Sequence, residues 1–300
     1  MFSNVRGNQL VPIVVGDKFR RSGCNKVYAF VNARDEPNIA EWVAHYILLG
    51  FDKVIVYDHL SVEPIAQKLG TTFNGRLLVQ RVDGVGNIKM SLMERAVRTA
   101  VNDRADWIIY LDADEFLLLN RPFSNVKDFL AKFSEADSIG INWLMFGTSG
   151  YVKQPKGLLT ENFVRSDLFL NQHVKTFVRP EVVRTVAGPH HYTVMNLNRC
   201  FSAYGTRMRN GPFYPIPRAF FLRAPAYIAH FYTQSEEEHR RRKDRALDDG
   251  SSNKTGLLPE VHKAYNDALN GQLRFKYSDR IRNYLNENGI HFDTNMESVD

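Results

Sequence analysis

Asp112-Ala113-Asp114-Glu115 sets three carboxylates within four residues, directly behind the apolar run Trp107-Ile108-Ile109-Tyr110-Leu111. That run is aromatic and β-branched, the composition of a buried strand. An unpartnered carboxylate is too costly to bury, so the acids at its end must face water, cations or a ligand. The C-terminal edge of a parallel sheet is where α/β proteins bind their ligands. An acid pair Asp112/Asp114 there could hold a divalent ion bridging the two phosphates of a nucleotide. Magnesium and manganese take such oxygen donors, with substrate phosphates completing the set. The plainer alternative is a charged strand-to-loop junction in which Asp114 caps the next segment.

The elements that must position these acids alternate along the first half of the chain. Val27–Val31, Val54–Tyr57, Leu77–Val82, Trp107–Leu111 and Ile139–Trp143 read as strands. Between the first two, Pro37 suits a first helical turn, Ile39, Trp42, Val43, Tyr46 and Ile47 recur at helical spacing, and Gly50 ends the helix. A short helix to about Leu69, one over Ser91–Ala105 and one around Phe129 follow. This succession predicts a mostly parallel sheet flanked by helices. Its strand ends would then bring Asn32-Ala33-Arg34-Asp35-Glu36, Asp58 with Ser61, and the Asp112 cluster onto one rim. Asp58 is placed to accept hydrogen bonds from a nucleobase or ribose, or else to start a turn. Asp35 or Glu36 could equally cap the helix that begins at Pro37.

Beyond residue 143 the pattern is less regular: a loop-rich stretch to 172, strands over Val174–Val178 and Val182–Val186, and a short strand at Tyr227–Phe231. Ser235-Glu236-Glu237-Glu238 opens a helix with a capping box. Glu/Arg pairs at 236/240, 237/241 and 238/242 make its basic run a salt-bridged surface rather than a nucleic-acid patch. Residues 250–256 read as a flexible loop and the last fifteen as frayed. Phe213-Tyr214-Pro215 with Phe220-Phe221 reads as core and loop packing, or an acceptor platform.

Over 300 residues, 44% apolar and 12% aromatic, the chain has material for a sizeable core. Its net charge of +6 suits an anionic ligand but does not choose among nucleotide, nucleic acid and membrane surface. Cys24 and Cys200 are too few for a disulfide framework and read as free thiols. Met1–Val15 is too weakly patterned for a signal peptide, and no run is long enough for a membrane span, so a cytoplasmic protein is expected.

Taken together, several blocks resemble the glycosyltransferases of GT-A fold, of the family-2/family-92 type. Val31-Asn32-Ala33-Arg34-Asp35-Glu36, Glu41-Trp42-Val43-Ala44-His45-Tyr46, Leu49-Gly50-Phe51-Asp52 and Val56-Tyr57-Asp58-His59-Leu60-Ser61 look like the opening of that group. Ala105–Phe116, Trp143 with Phe146–Gly150, Lys175–Pro180 leading to His190-His191, and Ile228–Tyr232 leading to Ser235–Glu237 agree in the same order, over roughly residues 26–245. Two departures are Phe231, where tyrosine is commoner, and Arg242-Lys243, where one lysine is expected.

The resemblance implies an α/β GT-A fold: a Rossmann-like, mostly parallel sheet flanked by helices, with a smaller mixed or antiparallel acceptor-side region. It implies one domain over 1–300, with a nucleotide-binding half at about 26–143, an acceptor and metal half at about 144–245 and a helical tail at about 246–300. It also implies a nucleotide-sugar donor, UDP-linked, and a divalent ion, Mn2+ or Mg2+. Asn32, Arg34, Asp35, Asp58, Asp112 and Lys175 would serve the donor, with Asp58 on uridine and Asp112 and Asp114 facing ribose and metal. A late histidine, His230 or His191, would join the metal, His230 being preferred.

Glycosyl transfer develops an oxocarbenium-like carbon and a charged leaving diphosphate, which metal and basic groups such as Lys175 or Arg179 would offset. An inverting enzyme needs a carboxylate to deprotonate the acceptor hydroxyl, and Glu161 and Asp167 are the candidates. The expected partners are a nucleotide sugar and a glycan or glycoprotein acceptor, with no nucleic acid. A nucleotidyltransferase would want a glycine-rich phosphate loop after the first strand, and Asn32–Glu36 has no glycine. A basic nucleic-acid binder would cluster unpaired Lys and Arg among aromatics on one face. A degenerate, glycan-binding transferase would not need intact Asp112 and Asp114.

Overall fold

The computed structural model describes residues 26–70, 73–84, 88–208, 219–248, 263 and 265–292. Strands β1 (Val27–Ala33), β2 (Lys53–His59), β3 (Leu77–Val82) and β4 (Trp107–Leu111) lie in the order β3-β2-β1-β4, all parallel. Helices α1 (Ile39–Leu48), α2 (Ile65–Leu69) and α3 (Lys89–Asn102) connect them. β1 shows why its run is apolar throughout: Val27, Ala29 and Val31 pack in one core with Trp42 and Ile109, while Tyr28 and Phe30 pack in a second with Met93 and Val97. A parallel sheet covered on both faces requires that composition.

The sheet continues into a mixed half. β5 (Glu115–Leu119), α4 (Val126–Ala131) and β6 (Ser138–Met145) come next in the chain, followed by α5 (Leu159–Asn162) and β7 (Arg165–Ser166). Then come β8 (Val174–Val178), the ribbon β9 (Val183–Gly188) and β10 (His191–Val194), β11 (Cys200–Ser202) and β12 (Ala226–His230). From β4 the order is β8-β6-β12-β5, with β11 also on β6. β8 is antiparallel to both β4 and β6, and β5 is antiparallel to β12. The fifth expected strand, β6, is therefore separated from β4 by β8. Hydrophobic periodicity identifies a strand but not its neighbour. β5 was not expected from the sequence, because Glu115 was read with the polar junction rather than as the first residue of the strand Glu115–Leu119.

After α6 (Glu236–Asp248), strand β13 (Ala268–Leu269) pairs with β7, and a π-helical turn, Arg274–Ser278, leads into α7 (Asp279–Glu287). Ile281 and Leu285 of α7 are fully buried, and α7 packs on α1, so this part of the tail belongs to the core. Cys200 is buried. Cys24, Phe213-Tyr214-Pro215, the loop 250–256 and residues 293–300 lie outside the described residues. No described helix is long and apolar enough to cross a membrane.

Candidate active site

The acidic turn is held in place by one face of α1. The Trp42 indole N–H donates to the carbonyl oxygens of Asp112 at 3.1 Å and Glu115 at 2.9 Å. The Tyr46 hydroxyl donates to the Glu115 carbonyl and accepts from Leu117 N–H, both at 2.9 Å, and His45 Nε2 lies 2.9 Å from the Leu117 carbonyl. Residues 42, 45 and 46 share a helical face, so three side chains reach the carbonyls of Asp112, Glu115 and Leu117 on the passing chain. Inside the turn, Asp112 N–H donates to Glu115 Oε2 at 2.9 Å and Glu115 N–H to the Asp112 carbonyl at 3.1 Å.

The side chains form a charge cluster. The Lys175 ammonium, fully buried, lies 2.8 Å from Asp112 Oδ2 and 3.3 Å from Glu115 Oε2, and Lys89 pairs with Asp112 Oδ1. Arg242 Nη2 donates to Asp114 Oδ2 at 2.5 Å, and His230 Nε2 is 3.5 Å from the same oxygen. Burial works to raise the Asp112 carboxyl, yet the Lys175 and Lys89 charges outweigh it and hold it well below the usual range. Asp114 is likewise held low, Arg242 foremost overcoming the burial. Glu115 goes the other way, raised by burial, and its Oε1 is buried without a hydrogen-bond partner. Asp114 and Glu115 are thus interior groups, tolerated because cations face them.

A wall of rings adjoins the cluster. Trp143 stacks on His173 with centroids 5.0 Å apart, and meets His190 at 5.1 Å and His230 at 4.5 Å. Burial, then the Lys175 charge, push the His190 imidazole down to about 3. Of the adjacent histidines it is His190, not His191, that faces Trp143. His191 lies in the β9–β10 ribbon, its ring against Gly188.

The remaining expected residues are distributed as follows. Asp58 is buried, and its oxygens accept from Ser61 and Ile65 N–H, both at 3.1 Å, and from Arg81 at 2.9 Å, which is the turn-starting arrangement. Asp35, at φ +50°, donates its N–H to Ser61 Oγ and accepts from Val62 N–H, locking the two rim loops together. Asn32 accepts from the Tyr110 hydroxyl at 3.2 Å, and Arg34 lies half-buried beside it. Arg179 sits over the Trp107 ring, at the start of β4 and away from the rim. Glu161 pairs with Arg282 through both oxygens. Asp167 donates its N–H to the Met145 carbonyl at 2.9 Å, and Met145 pairs with His230 between β6 and β12.

Lys89 and His173 are not singled out by the sequence, and Trp143, His190 and Arg242 enter it through the family resemblance, with no site role. The basic run conceals Arg242. Glu236 pairs with Arg240 and Glu238 with Arg241, as on any solvated helix, but Arg242 turns inward to Asp114 rather than to Glu238. Its one outward sign is the departure from the family pattern at 242–243.

Asp114 Oδ2 and His230 Nε2 lie 3.5 Å apart, and of the two the carboxylate is the donor type that magnesium and manganese prefer, with water and phosphate as further ligands. Among the described residues no group of three or more His, Cys, Asp or Glu gathers around one point.

A family model described as glycosyltransferase family 92 matches residues 99–271, more than half of the chain. No curated protein matches it. Among solved structures, HddC from Yersinia pseudotuberculosis is similar over 72% of this chain and 97% of its own, at 8% identity and a TM-score of 0.37. A 4-diphosphocytidyl-2C-methyl-D-erythritolsynthase from Anaerococcus prevotii DSM 20548 is similar over 52% and 70%, at 12% identity and 0.29. Likenesses at this level do not bear on the site.

Proposed function

Since the chain belongs to glycosyltransferase family 92, and is an enzyme of glycosyl transfer, we propose that it moves a sugar from a UDP-linked donor to a hydroxyl of a glycan or glycoprotein, inverting the anomeric centre. The observation that carries this reading is the convergence of Asp112, Asp114 and Glu115 with Lys89, Lys175, Arg242 and His230 at the ends of β4 and β12. A divalent ion, manganese or magnesium, on Asp114 and His230 beside Asp112 would supply Lewis-acid charge to the departing diphosphate.

The chain's own residues divide the remaining work by exposure. Lys175 has no accessible surface and acts as a positioning residue, fixing Asp112 against Glu115. The Asp112, Arg242 and Lys89 side chains keep 32%, 23% and 17% of theirs, so these are the groups a donor can reach. Lys89 and Arg242 are the cations that meet the diphosphate, where charge grows in the transition state. Asn32 near the end of β1, with Arg34 and Asp35 in the loop after it, lies on the same rim, toward the nucleoside. Asp58 supports that rim by holding the turn after β2. For the acceptor we assign the base to Asp167, one strand away from His230 through Met145, in preference to Glu161, whose carboxylate is held by Arg282.

Calorimetric titration with UDP-, GDP- and dTDP-sugars, each with and without manganese, tests this. Manganese-dependent binding of one UDP-sugar is expected. A folded protein that binds none of them would overturn the reading.

A further inference from the structure

A second depression lies at the far end of the two strands that carry the acidic turn. β5 and β12 pair Glu115 with His230 at one end and Leu119 with Ala226 at the other, four residues or about 13 Å away. Beyond Leu119 a pocket of about 370 Å³ opens between the turn 120–123, the end of α4, residues 203–205 and residues 222–225. That volume is in the range of small-molecule sites and holds one or two sugar rings.

Its lining brings Arg121, Lys132 and Arg223 together with the rings of Phe123, Phe133 and Tyr204, and includes no Asp or Glu. Among the described residues none of the three cations is held by a carboxylate. Asp128, one turn before Lys132, instead accepts from Asn125 Nδ2 at 2.6 Å and from Ser124. The Arg121 charge reaches a neighbouring lysine. Lys276, which donates to the Leu119 carbonyl and to Asn120 Oδ1, is held below the usual lysine range by burial and then by the Arg121 charge.

Converging cations without a counter-charge repel one another, and an anion relieves that repulsion. The two guanidinium forks match the planar oxygens of a carboxylate or the oxygens of a phosphate. Three rings and the half-exposed Leu222 offer apolar faces to the C–H side of a pyranose. We propose that this pocket binds an anionic sugar, one bearing a carboxylate or a phosphate, separately from the rim that holds Asp114.

The whole chain is titrated by calorimetry, at low and high salt, with glucuronate, glucose 6-phosphate, glucose and inorganic phosphate. Both charged sugars are expected to bind, more weakly at high salt, and glucose not to bind. The exposed pair Arg121→Ser and Arg223→Ser, combined, should weaken both charged sugars by about tenfold or more. Melting temperature and UDP-sugar binding should stay unchanged in that variant, which separates this pocket from the rim chemistry. Absence of charged-sugar binding, or binding undiminished in the double variant, overturns the proposal. So does inorganic phosphate binding as tightly as the sugar phosphate, or association with anionic lipid vesicles without any sugar binding.

Discussion

Asp114 Oδ2 is shared by Arg242 and His230, and any ion on that carboxylate competes with the guanidinium for the same oxygen. Arg242→Gln removes the competitor and, on the reading above, one contact to the donor diphosphate. Manganese affinity in the absence of donor is expected to rise severalfold. The specificity constant kcat/KM should fall about 10- to 100-fold, some 1.4–2.7 kcal/mol of transition-state stabilisation. A manganese titration followed by spin resonance reads the first effect and initial rates the second; both moving in the same direction would refute the shared role. At this scale the residues by themselves show the acids but not their partners, and Lys175 and His230 enter only through the family resemblance. Asp112 and Asp114 are legible because carboxylates behind an apolar strand need an explanation. Lys89, Lys175 and Arg242 come from three distant elements, and nothing in their own neighbourhoods announces that they meet.

At the scale of elements, α1 does for the acidic turn what its sequence alone does not reveal. Trp42 and Tyr46 have the helical spacing of an apolar face and are legible as core, whereas nothing in the sequence marks His45 beside them as buried. Their polar atoms nonetheless fix the carbonyls of Asp112, Glu115 and Leu117. Trp42→Phe keeps most of the packing and removes the shared N–H. Its expected cost is about 1–3 kcal/mol in urea unfolding, with kcat falling more than KM rises, because the turn loosens while its side chains remain. A drop in stability alone, with kcat unchanged, would make Trp42 a core residue only.

Glu41, on the same helix, accepts from Leu159 N–H, Thr160 N–H and Thr160 Oγ1, so it caps α5 from outside the segment. Burial pushes its carboxyl up to about 7 despite those three bonds. Folded, it therefore binds more protons than unfolded between about 4.5 and 7, and its contribution to stability declines as pH rises across that window. His45 works in the opposite sense. Burial lowers it to about 3, so its contribution rises with pH from there to about 6.5. Comparing wild type with Glu41→Gln isolates the first slope. The stability difference should drift toward the variant by about 3 kcal/mol from pH 4.5 to 7.5, at roughly 1.4 kcal/mol per unit. A difference that does not change with pH would show that folding leaves the Glu41 carboxyl unshifted.

For the whole molecule, α7 closes the structure by packing on α1, the helix that positions the site. Leu285 of α7 is fully buried, and Leu285→Ala is expected to cost about 2–5 kcal/mol in a single cooperative unfolding transition. A separate, earlier transition would instead mark α7 as an independent appendage. By itself the sequence determined the alternating half of the fold and the acidic turn. Those rest on local physics: hydrophobic periodicity, helix stops, and the cost of burying unpaired carboxylates. Only the tertiary structure decided that β8 inserts antiparallel between β4 and β6, that Glu115 begins a buried strand, and that His190 rather than His191 joins Trp143. It also decided that Arg242 leaves a salt-bridged helix for Asp114. Strand neighbours and ion partners are chosen by long-range packing, where residues far apart in the chain compete for one place, and no local pattern records which of them wins.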